Sequence, residues 1–282
     1  MFRRLLPIVF LLVGALCAAA QVRIAHISDT HIGLKRAPQA SQNLRRVVEM
    51  VNARRPDAVI VTGDIGERPE AWGEARAILS GLRAPVYYVP GNHDVNSRNV
   101  ERYRAVFTKD YYHFRVKGLI FYALNSQLLG NYDVFEAREP QPLPQETRTE
   151  SVKMFAWLER AADGHSEVAS CKPRGGAAEK PPLVFAMQHV PISRAGGFPN
   201  DPKPYWTTQE PYRSRELELL RRLGVKHVFL GHWHKGMVYQ ADGLIYHVAP
   251  ATSWSPFGAP LGFAMHTISE DGQVKTDFVY LD

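Results

Sequence analysis

Five short polar clusters carry residue types that bind divalent cations: Asp29-Thr30-His31, Gly63-Asp64, Gly91-Asn92-His93-Asp94, Gln188-His189 and Gly231-His232-Trp233-His234. Carboxylate, imidazole and amide oxygen without thiolate suit Mn, Fe or Zn in a reactive site, not a structural Cys-rich zinc site. Asp29 and His31 are two residues apart, as are His232 and His234. In extended backbone that spacing sends both side chains to one side, as shared ligation requires. Gly63, Gly91 and Gly231 allow sharp turns and bring backbone close to a bound anion. A single Asp-x-His or Gly-Asp is ordinarily a turn, whereas Gly-Asn-His-Asp and Gly-His-x-His carry more information. All five in series point to one assembled site.

Each cluster sits at or just after the end of an apolar, β-branched run. The sequence predicts strands at Val22–Ile27, Ala58–Val61 and Val86–Val89, with helices near Asn43–Ala53 and Glu70–Ser80 between them. Such alternation implies crossover units and a parallel sheet, and ligands gather outside the carboxyl ends of its strands. Tyr112–Val116 and Leu119–Leu124, split by Lys117-Gly118, read as a hairpin. After a Pro-rich loop at Pro140–Pro144, Thr147 and Glu150 suggest a capping box for a helix reaching Ala161. Leu183–Met187 and Val228–Leu230 are buried strands, and Leu217, Leu220 and Leu223 line a helix that Gly224 ends. Met237–Gln240, Ile245–Val248, Phe263–Ile268 and Val274–Tyr280 then read as strands, turned at Asp242-Gly243 and Asp271-Gly272. A parallel first half and an antiparallel finish imply two packed sheets with helices outside. No linker divides them.

Composition excludes several classes. The chain has 282 residues, 45% of them apolar and 22% charged, which is too apolar for disorder. Arg3-Arg4, an apolar run from Leu5 to Leu16, and Ala18-Ala19-Ala20 have the order of a secretory signal, residues 1–20. The run is short of the roughly 20 residues that span a bilayer, and Leu16 before Cys17 argues against a lipid anchor. An exported protein with no stable membrane anchor after cleavage is therefore expected. Loss of Arg3 and Arg4 lowers the formal net charge from +6 to +4. The basic pairs Arg54-Arg55 and Arg221-Arg222 fall at predicted helix C-termini, where cations suit the dipole. Dispersed basic charge without an aromatic–basic stripe argues against a nucleic-acid partner. Cleavage leaves Cys171 alone, in a Gly/Lys/Pro-rich stretch that reads as an exposed loop, so no intramolecular disulfide is available.

The series D-x-H, GD, GNHD, H and GHxH, spanning Asp29 to His234, resembles the calcineurin-like metallophosphoesterase superfamily. Leu124-Asn125-Ser126-Gln127, Gln188-His189-Val190-Pro191 and the tail from Gly224-Val225 through Gly231-His232-Trp233-His234 are similar to one branch, the calcineurin-like phosphoesterase domain-containing proteins. The resemblance implies an α/β fold, a four-layer α/β/β/α sandwich of two mixed sheets flanked by helices, in one domain over residues 21–282. It implies that Asp29, His31 and His234 hold one metal, that Asn92, His189 and His232 hold the other, and that Asp64 bridges them. His93 would be the general acid, and Asp94 would orient it and favour its charged form. Purple acid phosphatases place a metal-binding Tyr three residues after the bridging Asp; Glu67 stands there, so a purple site is not expected. The branch includes cytosolic phosphoprotein phosphatases, and the export signal argues against that substrate.

Two divalent ions about 3.5–4 Å apart can share a hydroxide and clamp phosphoryl oxygens for in-line attack. A protonated imidazole can then supply the leaving alkoxide with its proton. The leading reading is an exported hydrolase of phosphomonoesters. A phosphodiesterase or nuclease is the alternative, and a non-catalytic metal-binding protein is disfavoured because Asp64 and His93 are both present. His26, His113, His165, His227, His247 and His266 read as structural or surface residues, with His26 and His247 the ones to compare against the site. Asn125 could touch the site or make a turn. Arg194–Arg213 leaves from the rim beside His189 and is either a packed loop or a substrate-contacting lid.

Overall fold

The computed structural model describes residues 21–95, 100–170 and 182–281, with backbone alone over 165–170. The leader and Cys171 lie outside the described residues, as does the side chain of His165. Apolar runs buried along nearly their whole length form the centre of the first sheet. β1 (Val22–Ile27), β2 (Ala58–Thr62) and β3 (Val86–Val89) run parallel, joined through α1 (Ala40–Arg54) and α2 (Trp72–Leu79). On the other side of β1 lie β10 (Gly262–Ile268) and β11 (Val274–Tyr280), both in antiparallel pairings. The sheet order is β11-β10-β1-β2-β3.

The second sheet has the order β4-β5-β6-β7-β9-β8, from β4 (Tyr112–Val116), β5 (Leu119–Ala123), β6 (Val184–Met187), β7 (His227–Leu230), β9 (Leu244–Val248) and β8 (Met237–Ala241). Pairing is parallel from β5 through β9 and antiparallel at both edges. The antiparallel finish read from the sequence is therefore divided. β8 and β9 extend the second sheet, and β10 and β11 cross to the first.

Three apolar interfaces make the four layers. Ile24, Ala58 and Ile60 face Phe121, Phe185, Met187 and Phe229 between the sheets. Their alternates Ala25, Ile27, Val59 and Val61 pack beneath Leu44, Val47, Trp72 and Tyr103, the last on α3 (Val100–Phe107), a helix not expected from the sequence. On the far face Tyr122, Ala186 and Val228 lie beneath Leu158 of α4 (Gln145–Ser170) and Leu219 and Leu220 of α5 (Tyr212–Arg222). The capping box fails. α4 starts at Gln145, and Arg148 N–H donates to the Pro144 carbonyl at 3.0 Å. Thr147 is thus buried inside the first turn, and Glu150 pairs with Arg104 and Lys153. The buried face of α5 is Glu216, Leu219 and Leu220, with Leu217 only partly covered.

Four of the remaining histidines form a seam between the sheets. His227 Nδ1 lies 3.0 Å from His247 Nε2, and His266 Nε2 lies 3.1 Å from His26 Nδ1. Thr276 Oγ1 joins the pairs at 2.8 Å from His247 Nδ1 and 2.9 Å from His266 Nδ1. His26 Nε2 meets Thr62 Oγ1 at 2.8 Å. Burial lowers the pKa of His26 and of His247 to about 3 and holds His266 well below its usual value. A neutral imidazole donates once and accepts once, so such a chain can satisfy its buried nitrogens.

Candidate metal centre

The strands β1, β2, β3, β6 and β7 end at Ile27, Thr62, Val89, Met187 and Leu230, and the five polar clusters follow those ends. They converge because parallel strands deliver their carboxyl ends to one edge. Strand alternation does not aim the side chains, contrary to the expectation from the i, i+2 spacing. Asp29 (φ 52°), His31 (φ 42°), Asp64 (φ 49°), His232 (φ 70°) and His234 (φ 51°) are all left-handed. Non-glycine residues hold this conformation at a cost, and its clustering here marks a functional site. Two glycines permit the crowding: a Cβ on Gly91 would land on Asp64 Oδ1, and one on Gly231 would land on Ser28 Oγ. The close approach is thus to protein oxygens, not to an anion.

Proton accounting shows what the site is built to hold. A carbonyl only accepts, so His189 Nδ1 donates to Thr62 O (2.7 Å), His232 Nε2 to Tyr205 O (2.9 Å) and His234 Nδ1 to Trp254 O (2.7 Å). His31 Nδ1 faces Glu67 Oε2 at 3.2 Å. Each outer nitrogen is occupied, which turns the inner nitrogen of each ring toward the centre, the orientation of metal-ligating histidines. His189 Nε2 there faces Asp64 Oδ2 (3.2 Å), Asn92 Oδ1 (3.2 Å) and His232 Nδ1 (3.3 Å). His234 Nε2 faces Asp29 Oδ1 (3.1 Å) and His31 Nε2 (3.2 Å), and the latter lies 3.6 Å from Asp64 Oδ2.

Two groups of acceptor atoms thus share one carboxylate oxygen of Asp64. One proton cannot serve either group. Burial opposes charge on His189, yet Asp64 overrides it and pushes its pKa to about 9, whereas burial and His189 lower His232 to about 3. A divalent cation satisfies several such atoms together and displaces the proton. Asp29, His31, Asp64 and His234 place ligand atoms within 4.8 Å of one another, as do Asp64, His189 and His232. The donor set fits two ions. His31, Glu67 and His93 also come within 4.8 Å of one another, but His31 Nδ1 is taken up with Glu67, which makes Glu67 a carboxylate behind a ligand.

His93 is partly exposed, with its backbone N–H on Asp64 Oδ1 at 2.9 Å and its Nε2 4.0 Å from Asp64 Oδ2. Asp94 adds to the charge on His93, as expected, while its carboxylate is engaged elsewhere. Its buried carboxylate accepts from the backbone of Ile65, Gly66 and Gly91 and from Trp72 Nε1, stapling two loops together. Glu67 instead reaches the His93 ring, with Oε1 3.2 Å from Nδ1. Burial works against charge on His93, but Asp64 and Glu67 outweigh it and push its pKa to about 9. Spacing could have shown Glu67, since it follows Asp64 by three residues on the same loop.

Asn125 proves to be a turn residue: its side chain accepts from Gln127 N–H and donates to Asp110. His26 and His247 belong to the seam. The loop 194–213 does reach the site, through the Tyr205 hydroxyl 3.1 Å from Asn92 Nδ2 and the Tyr205 carbonyl on His232. Trp206 is buried, and its carbonyl accepts from Trp233 Nε1 at 2.9 Å. No sequence signal marks the carbonyls of Tyr205 and Trp254, since every residue has one.

Comparison with known proteins agrees with this geometry. The calcineurin-like phosphoesterase pattern matches residues 22–236. The serine/threonine-protein phosphatase CPPED1 of Danio rerio is 25% identical over 261 residues, covering 86% of this chain and 74% of the relative. The glycerophosphodiester phosphodiesterase GpdQ of Enterobacter lignolyticus is 41% identical over 80 residues, 25% of this chain and 29% of that protein. The crystal structure of a dimetal phosphatase from Danio rerio superposes with a TM-score of 0.57 at 17% identity, covering 92% of this chain and 99% of that one.

Proposed function

Because this chain belongs to the calcineurin-like phosphoesterase family, whose members are metal-dependent phosphoric ester hydrolases, we propose that it hydrolyses phosphomonoesters with two divalent ions. The observation that carries the reading is Asp64, whose Oδ2 borders both acceptor groups while Oδ1 holds the backbone of His93. Asp29, His31 and His234 would hold one ion, Asn92, His189 and His232 the other, and Asp64 both. Such ions supply positive charge to phosphoryl oxygens and lower the pKa of water toward neutrality.

The chain's own groups do the rest. His93, protonated near neutral pH, donates from Nε2 to the departing oxygen, while Glu67 accepts from Nδ1 and holds the ring. Asp94 acts at a distance from the chemistry, by fixing the loops that carry Asp64 and Asn92. The Tyr205 side chain covers the Asn92 and His232 side of the centre.

Support for monoesters comes from the extent of the match to CPPED1, named a phosphatase. The short match to a phosphodiesterase supports the second reading, diester hydrolysis. Metal analysis of purified protein, with parallel assays on an aryl phosphate monoester and the matching diester, separates them. Two ions per chain with faster monoester turnover is expected; preference for the diester would replace the reading, and metal-loaded protein inert on both would end it. Export is part of the proposal, resting on the leader-like first twenty residues. Among the described residues no helix is long and apolar enough to cross a membrane. Intact-mass measurement of exported protein should show a chain beginning at Gln21; retention of residues 1–20 or lipid on Cys17 would overturn it.

A further inference from the structure

One residue of the loop 194–213 touches two groups that the proposed dimetal reading assigns to a single ion. The Tyr205 hydroxyl lies 3.1 Å from Asn92 Nδ2, its carbonyl accepts from His232 Nε2 at 2.9 Å, and its ring lies 4.7 Å from that of His232. The groups around the other position are oriented from elsewhere: His31 by Glu67, His234 by the Trp254 carbonyl, and Asp29 by the backbone N–H of His232. The asymmetry is clear. We propose that Tyr205 is a positioning residue that sets the affinity of the Asn92/His189/His232 position for its ion, leaving the Asp29/His31/His234 position unaffected. The inference rests on the dimetal reading above.

The chemistry follows from the ligands. An amide oxygen is uncharged and its side chain rotates freely, so Asn92 binds a cation well only if its orientation is set beforehand. The Tyr205 hydroxyl holds the amide nitrogen and thereby aims Oδ1 at His189 Nε2. A carbonyl behind His232 fixes the tautomer that frees Nδ1. Both tasks need Tyr205 held in place, and the loop is built for that. Arg194 donates to the carbonyls of Pro199 and Asp201 at 2.7 Å and of Lys203 at 3.0 Å. Lys203 pairs with Glu136 and Asp201, and Trp206 is buried against the residue between His232 and His234. Past Tyr205, Thr208 N–H donates to Pro191 O at 2.8 Å, two residues beyond His189.

The test uses Mn2+ and the full chain, with metal bound per protein measured by equilibrium dialysis and pairing of the ions by electron paramagnetic resonance. Tyr205→Phe keeps the ring and the carbonyl and removes only the hydroxyl. Orienting partners behind ligands are worth about 10–100-fold in metal affinity. Wild type should bind two Mn2+ and show an exchange-coupled signal. Tyr205→Phe should bind one ion as wild type does and the other at least about 10-fold more weakly, with the signal of an isolated Mn2+ at intermediate loading. Asn92→Ala should give the same pattern, more severely. If Tyr205→Phe binds both ions with wild-type affinity, or loses affinity equally at both positions, the inference is overturned and the dimetal reading stands. If wild type itself binds fewer than two ions, the dimetal reading falls and the inference with it.

Discussion

Glu67 Oε1 lies 3.2 Å from His93 Nδ1, and its other carboxylate oxygen lies 3.2 Å from His31 Nδ1. One carboxylate therefore sets two imidazoles, the proposed general acid and a proposed metal ligand. Burial opposes charge on Glu67, but the two rings more than compensate and hold its pKa at about 2. Glu67→Gln keeps one acceptor oxygen and so can serve only one ring. We expect turnover of an alkyl phosphate to fall about 10–100-fold. The loss should shrink for an aryl phosphate whose leaving group needs no proton. An equal loss on both esters, accompanied by loss of metal, would place the effect at His31 instead.

Asp64 and His93 should separate binding from proton transfer. Asp64→Ala removes the carboxylate common to both acceptor groups, so bound metal and activity should both disappear. His93→Ala should keep its metal and lose turnover by about 10²–10⁴-fold. Metal content and kcat measured on the same preparations decide it. A His93→Ala protein emptied of metal would show that the division between ligand and acid is wrong.

Tyr205 and Trp206 are neighbouring aromatic residues of the loop 194–213, yet their surroundings differ. Trp206 is 7% exposed, so Trp206→Ala should cost about 3–5 kcal/mol in urea unfolding and report packing, not recognition. Phe135 is the better probe of substrate contact. It is 42% exposed, its ring stands edge-on to Tyr205 at 4.9 Å, and Lys203 lies 3.9 Å from its centre. Phe135→Ala should change stability by less than about 0.5 kcal/mol. Its KM should rise for a bulky ester and stay level for a small one, the signature of lost ground-state contact. Equal KM values on both would remove this edge from the binding surface.

The histidine seam should make the fold acid-sensitive well above the pH at which the seam itself titrates. His26, His247 and His266 are buried neutral, with folded pKa values at about 3 for the first two and well below 6.5 for the third. The unfolded chain binds those protons near pH 6.5, so between the two values it holds more protons than the folded one. Stability is complete above about pH 6.5 and is lost as pH falls toward the folded pKa values, by up to about 1.4 kcal/mol per pH unit for each ring. Urea midpoints from pH 7.5 to 4.5, measured with chelator so that metal release does not contribute, should fall with that sign. A midpoint that holds level below pH 6 would mean that the rings are charged in the folded protein.

The place of the site and the kind of chemistry it performs were legible in the sequence alone. Apolar runs end where the polar clusters begin, and short parallel strands with helical crossovers can only bring such ends to one edge. The strands Val22–Ile27 and Ala58–Thr62 are apolar runs buried along nearly their whole length, as strands covered on both faces must be. The partition of the last four strands between two sheets was not legible, because each is an equally good partner for either edge until the helices have taken the outer faces. The capping box failed because Pro144 offers the carbonyl at which α4 begins. In the site, the identities of Asp29, His31, Asp64, Asn92, His189, His232 and His234 stood in the sequence, but their orientation did not. Left-handed backbone at five of them aims the side chains. Carbonyls of Thr62, Tyr205 and Trp254 choose the reactive nitrogen of three of the rings. A backbone carbonyl has no residue identity to read, and its partner lies 20 to 127 positions away. Glu67 was hidden for the same reason: it lies 26 positions before His93, whereas Asp94 adjoins it, and only the packed loops bring the Glu67 carboxylate to the ring.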